Sequence, residues 1–243
     1  MVAVALAYHP TVAHYLRFVA TTVGRDKALR TLQYLSRFLA WYLFRTNYSQ
    51  AAISPFEAIK KQFALTRKLL RVGKNVEHFK AAAVLLDAKT SPSAAASSTA
   101  DPVLKYLAVG RQLGYAAYLS YDMVTYLDAA GIRKLNSVKK LQSQALKAWM
   151  AGLVCSAVAG VYSMWRLREL EKSVNKQDGE GALEGKKIER ERAAVTIQLV
   201  SDVCDLTIPT SSLGYVNLDD GIVGIAGTVS SLIGAWSAWK KTA

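Results

Sequence analysis

Cysteine is almost absent from this chain, which has Cys155 and Cys204 and no others. Two isolated thiols exclude a disulfide framework, a CxxC redox pair and a cysteine-based zinc site. Histidine is equally scarce. His9, His14 and His78 are scattered without metal-ligand spacing, so no metal centre is expected. Acid is the third deficit, with 18 Asp and Glu against 31 Lys and Arg in 243 residues, a net charge of +13. No paired-carboxylate site, Ser/His/Asp set or P-loop can be assembled from these residues. The expectation is a chain with no catalytic residues, no cofactor and no enzymatic activity. The run GIVGIAG at 221–227 departs from GxGxxG and follows no strand pattern, which removes a nucleotide-binding reading. Helix-turn-helix, RNP and finger signatures are missing too, so nucleic acid is not the expected partner of the positive charge. The opening MVAVALAYHP lacks a basic n-region and the closing KTA is not an SKL-type address, so neither end is read as a targeting signal.

What the chain has in quantity is apolar residue. Half of it is apolar and its mean hydropathy is slightly positive, which is high for a basic soluble protein. Two runs carry no charge at all. Ala148–Trp165 is 18 residues, or roughly 27 Å of helix against about 30 Å of hydrocarbon. Trp149 and Trp165 stand at its ends as expected interfacial anchors, and Lys147 and Arg166 flank it. Gly221–Trp239 is 19 residues closed by Lys240 and Lys241. Its Gly221, Gly224, Gly227 and Gly234 are expected to let another helix approach closely. Trp236 and Trp239 form the anchor beside the lysines. Two spans put both termini on one side. Eight Lys and Arg between 166 and 192 face seven on the other side, so the positive-inside rule chooses no orientation.

The charge is unevenly placed. Residues 10–86 hold thirteen Lys and Arg against Asp26, Glu57 and Glu77, whereas the remainder is nearly neutral. A basic half implies a polyanionic partner. The first helices are expected over Thr11–Val23 and, capped by Asp26, over Lys27 to about Phe44. The stretch 55–86, PFEAIKKQFALTRKLLRVGKNVEHFKAAAVLL, then reads as one amphipathic helix starting at Pro55. Ile59, Phe63, Leu65, Leu69, Leu70, Val72, Val76 and Phe79 share a face. Lys60, Lys61, Arg67, Lys68, Arg71 and Lys74 share the other. Such a helix is suited to an anionic phospholipid surface, its apolar face dipped into the headgroup boundary as a wedge and its cations clamping lipid. Each cation there contributes about 1 kcal/mol, and the half-buried apolar side chains contribute a comparable total.

Downstream, DAKTSPSAAASSTAD at 87–101 reads as a flexible linker, and Asp101-Pro102 as a helix start. The helix to Leu127 is tyrosine-rich and too charged, at Arg111 and Asp122, to span alone. A charged loop follows the first span, with a short helix at 193–208 ended by Pro209. The expected organisation is therefore a basic helical region (1–86), a linker (87–101), an apolar helical region (102–147), a span (148–165), a charged loop with a short helix (166–220), a glycine-rich span (221–239) and a basic tail (240–243). The fold class is all-α, a membrane-associated helical bundle with an amphipathic surface helix and about two transmembrane helices.

HYLRFVATTVGRDKALRTLQYLSRFLAWYLFRTN at 14–47 resembles the opening of the fungal peroxin-11 family, and SPFEAIKKQFALTRKLLRVGKNVEHFKAAA at 54–83 resembles its amphipathic segment. The glycine-rich final span with terminal lysines fits as well. The likeness covers most of the chain and is strongest over 9–86. It implies residence in the peroxisomal membrane with the N-terminal half facing the cytosol, and a role in elongating and tubulating that membrane before fission. It further implies homo-oligomers, and work alongside a dynamin-related GTPase and a tail-anchored fission adaptor. The other reading is a channel or carrier for small metabolites, whose pore would have to be oligomeric or lined by the helix over 103–127 with Arg111 and Asp122.

Overall fold

Helix starts in this chain are set by side-chain caps, which take up the free N–H groups of a first turn. The computed structural model describes residues 8–87, 101–173 and 179–243. The expected linker lies outside them except for Asp87 and Asp101. His9 caps α1 (Pro10–Ala20) and Thr21 caps α2 (Thr22–Arg45), its Oγ1 accepting from Gly24 N at 2.9 Å. Asp26 is therefore not a cap. It lies a turn inside α2, where its carboxylate serves an ion pair instead. There follow α3 (Gln50–Leu70), α4 (Asn75–Asp87), α5 (Pro102–Ala129), α6 (Val138–Ser173), α7 (Gly179–Ser212) and α8 (Asp220–Lys241). Asp101 caps α5 as expected, accepting from Val103 N at 2.8 Å. No strand occurs among the described residues, and the fold is all-α.

Several boundaries depart from the sequence reading for physical reasons, and the expected charged loop with a short helix is largely helical, α6 running on to Ser173 and α7 starting at Gly179. The stretch 55–86 is two helices, not one. Gly73 takes φ +80°, a conformation open to glycine and costly for other residues, and the chain turns through Arg71–Lys74. Pro55 falls inside α3 rather than at its start, because buried Ile53 holds the preceding turn in place. Pro209, likewise, does not end α7. Its ring is fully buried, and the helical hydrogen bonding continues past it, Leu213 N donating to Pro209 O at 2.9 Å.

Of these helices, α6 and α8 are long and apolar enough to cross a membrane. Neighbour packing runs in a ring: α2 lies against α3 and α8, α8 against α7, α7 against α6, α6 against α5, and α5 against α4 and the end of α3. The α2–α8 pair is antiparallel, since Gly221, Gly224 and Gly227 meet Trp41, Phe38 and Tyr34 in turn. A small apolar core, built on Tyr34, Trp149, Leu153, Ile208 and Val223, fills part of the centre.

The rest of the centre is polar. Asp26, Arg30, Arg67, Asp122 and Asp205 are buried, whereas Leu32, Leu35, Val154, Val158, Ile222 and Ile225 are exposed on the outside. A soluble bundle buries its apolar stripes and exposes its charges. This bundle departs from that rule in part, burying these charged groups and exposing apolar side chains along α2, α6 and α8, an arrangement that suits a hydrocarbon surrounding.

Candidate functional site

The outward face of α3 is mixed, with Glu57, Lys61, Gln62 and Thr66 exposed along it, and an apolar patch gathers at its end, in the following turn and on α4. Leu69, Val72, Val76 and Phe79 are exposed by 52, 49, 63 and 48%. Ile59, Phe63, Leu65 and Leu70 are half-buried, packed under that surface. The turn at Arg71–Lys74 joins the two helices without interrupting the exposed apolar row.

The cationic face turns inward, which the helical wheel alone does not reveal. Arg67 Nε donates to Asp26 Oδ1 of α2 at 3.0 Å and its Nη1 to Gln33 Oε1 at 2.7 Å. Arg71 Nη2 donates to Asp122 Oδ2 of α5 at 2.6 Å, and Lys68 Nζ lies 3.1 Å from Asp122 Oδ1. Lys60 reaches Asp220 of α8 at 3.6 Å, beside Arg37. Lys61 stays exposed and Lys74 is half-buried. In this conformation Arg67, Lys68 and Arg71 thus tie α3 to α2 and α5, and Lys61 is the fully exposed member of the set. The reason is that buried carboxylates attract cations more strongly than the screened exterior does.

A further interior pair links α2 to α7, Arg30 Nη2 to Asp205 Oδ1 at 2.5 Å. Burial raises the Asp26 carboxyl, but the guanidiniums of Arg67 and Arg71 outweigh it and hold it below the ordinary carboxylate value. Lys27, one turn before Arg30, is pushed down to about 8 by burial and by Arg30 beside it. Together these groups line a half-open cavity of about 550 Å³ between α2 and α7.

The expected packing glycines do lie at contacts. A Cβ on Gly224 would come 2.7 Å from the backbone N of Phe38, and one on Gly221 2.5 Å from the Trp41 ring. Gly227 sits against the ring of Tyr34, and Gly234 makes room for the Lys27 side chain. The tryptophans divide. Trp165 and Trp236 are exposed by 57 and 56%, with Lys240 Nζ 4.9 Å over the Trp236 ring. Trp149 instead is buried at 8% and stacks on Tyr118 at 5.3 Å. It sits inside because α6 extends ten residues N-terminal of Ala148, so the edge of the uncharged run is not the end of the helix. Trp239 is half-buried against His14 and Phe18 of α1.

Asp26, Arg30 and Asp205 were not legible as site residues, because Arg30 and Asp205 lie 175 positions apart and Asp26 and Arg67 lie 41 apart. The available signal was an acid isolated in an apolar helix, as at Asp122 and Asp205.

Outward apolar faces, an interior of ion pairs and two helices able to span define a helical membrane protein. More particularly, the chain belongs to the family of peroxisomal biogenesis factor 11 (PEX11), whose profile matches residues 12–239. That family membership places it in peroxisome biogenesis. It is 29% identical to peroxisomal membrane protein PMP27 of Saccharomyces cerevisiae, over 100% of both chains. It is 27% identical to peroxisomal membrane protein PMP30B of Candida boidinii, over 98% of this chain and 97% of that one. Identity to peroxisomal biogenesis factor 11 of Schizosaccharomyces pombe is 22%, over 95 and 96%. No solved structure matches the chain.

Proposed function

We propose that this chain shapes the peroxisomal membrane, with the outer face of α3 and α4 as the wedge. The observation that carries the reading is the exposed apolar row of Leu69, Val72, Val76 and Phe79 on helices whose inner face is locked to the bundle. Apolar side chains entering one leaflet expand it relative to the other. A wedge bends a membrane only if it is stiff, and the ion pairs of Arg67, Lys68 and Arg71 supply that stiffness. With α6 and α8 holding the chain in the bilayer, the binding energy of the wedge goes into deformation. Anionic lipid is drawn to Lys61 and the exposed Lys80. The N-terminal half faces the cytosol in this reading. Homo-oligomers concentrate the wedges, and a dynamin-related GTPase with its tail-anchored adaptor then divides the tubule.

The test is tubulation of anionic vesicles by the reconstituted full-length protein. Leu69→Glu with Val76→Glu changes two exposed side chains and leaves the interior untouched. The expected result is loss of tubules at unchanged thermal stability. Tubulation at the wild-type level would overturn the wedge. The cavity favours a second reading, a channel or carrier, for which solute flux through vesicles containing only this protein is the discriminating measurement.

A further inference from the structure

Seven cations and three carboxylates line the interior cavity. Asp205 is taken by Arg30, Asp26 by Arg67, and Asp122 is shared by Lys68 and Arg71. Lys27, Lys74 and Arg111 line the same space without a direct ion pair among the described residues; Lys27 shares the fields of the already paired Asp26 and Asp205, and Arg111 that of Asp202 beyond the lining. Arg71 Nε is buried and has nothing to donate to. An excess of four positive charges in a place of low dielectric is costly unless an anion joins it. A buried guanidinium N–H without an acceptor points the same way. The volume, about 550 Å³, is that of a small-molecule site.

We infer that this cavity binds a phosphate-bearing anion of two or more negative charges. Guanidinium forks match phosphate oxygens, and several charges answer an excess of four better than a single carboxylate does. Tyr115, Tyr118 and Trp149 give the cavity an aromatic wall for an organic body. Two sources supply this chemistry, a soluble phosphate compound and a phosphorylated lipid headgroup. The site joins α2, α3, α4, α5, α6 and α7, so its occupant would bridge the ring where α3 meets α5. The inference does not depend on the wedge.

The experiment uses the full chain in neutral detergent, titrated with inorganic pyrophosphate at constant ionic strength. Intrinsic fluorescence, to which Trp149 in the cavity wall contributes, is the readout. Saturable binding is expected. Lys27→Gln and Arg111→Gln break no ion pair, and each should weaken binding about tenfold. Lys140→Gln, exposed and outside the cavity, should leave it unchanged. Phosphatidylcholine vesicles with and without phosphatidylinositol 4-phosphate then separate the sources. Competition by the phosphoinositide vesicles alone assigns a lipid headgroup, and no competition assigns a soluble phosphate compound. Both outcomes support the site. Absence of saturable binding, equal binding of succinate, or wild-type affinity in both cavity variants would overturn it.

Discussion

Asp122→Ala is expected to destabilise the bundle by about 3–5 kcal/mol, the cost of breaking a buried ion pair from one side. Asp122 has an 8% exposed side chain and holds two cations, Arg71 at 2.6 Å and Lys68 at 3.1 Å. Arg71 also lies 5.7 Å from the Tyr118 ring centroid, which cannot replace a full negative charge. Removing the carboxylate leaves both cations inside without a counter-charge. Thermal unfolding in detergent measures the effect. Replacing all three residues with Leu or Met should restore most of the loss, because the whole group can be exchanged for apolar packing. Asp122→Ala should also reduce tubulation, since α3 and the Arg71–Lys74 turn lose their tie to α5. A change below about 0.5 kcal/mol, the size of an ordinary surface substitution, would mean that these cations are not held inside.

Gly224→Leu is expected to be nearly as damaging, at about 3 kcal/mol, the upper end for overpacking. Its first added atom would lie 2.7 Å from Phe38 N and 2.9 Å from Phe38 Cα. Those are backbone atoms of α2, so the two helices must part. Gly234→Ala provides the contrast. There the added atom meets the flexible end of Lys27, Nζ at 2.9 Å, which can swing aside. Gly224→Leu should lower the melting temperature by many degrees and Gly234→Ala by few. Equal effects would show that α8 does not pack on α2 through this stripe.

Much of the fold was legible because its signals are local. The uncharged runs mark α6 and α8, and Asp101-Pro102 marks the start of α5. Gly221, Gly224 and Gly227 mark a close helix contact, though the sequence does not name α2 as the partner. The amphipathic pattern of 55–86 was legible too, but not its direction. A hydrophobic face looks alike whether it points to a core or to lipid, and only the partners of the opposite face decide. Those partners, Asp26, Asp122 and Asp220, lie on three other helices. The break at Gly73 was missed because helical periodicity resumes in phase beyond the turn, at Val76 and Phe79. Trp149 was misplaced because the uncharged run is shorter than the helix that contains it.

The proposed wedge requires that Leu69, Val72, Val76 and Phe79 meet lipid while Arg67, Lys68 and Arg71 stay inside. The most direct test is photolabelling of the full-length protein in anionic vesicles, using a phosphatidylcholine with a diazirine in its acyl chain and mapping adducts by mass spectrometry. Adducts on Leu69, Val72, Val76 and Phe79, with Ala64, Arg67 and Lys68 unlabelled, are the predicted result. Labelling confined to α6 and α8, with α3 and α4 free of adducts, would contradict it.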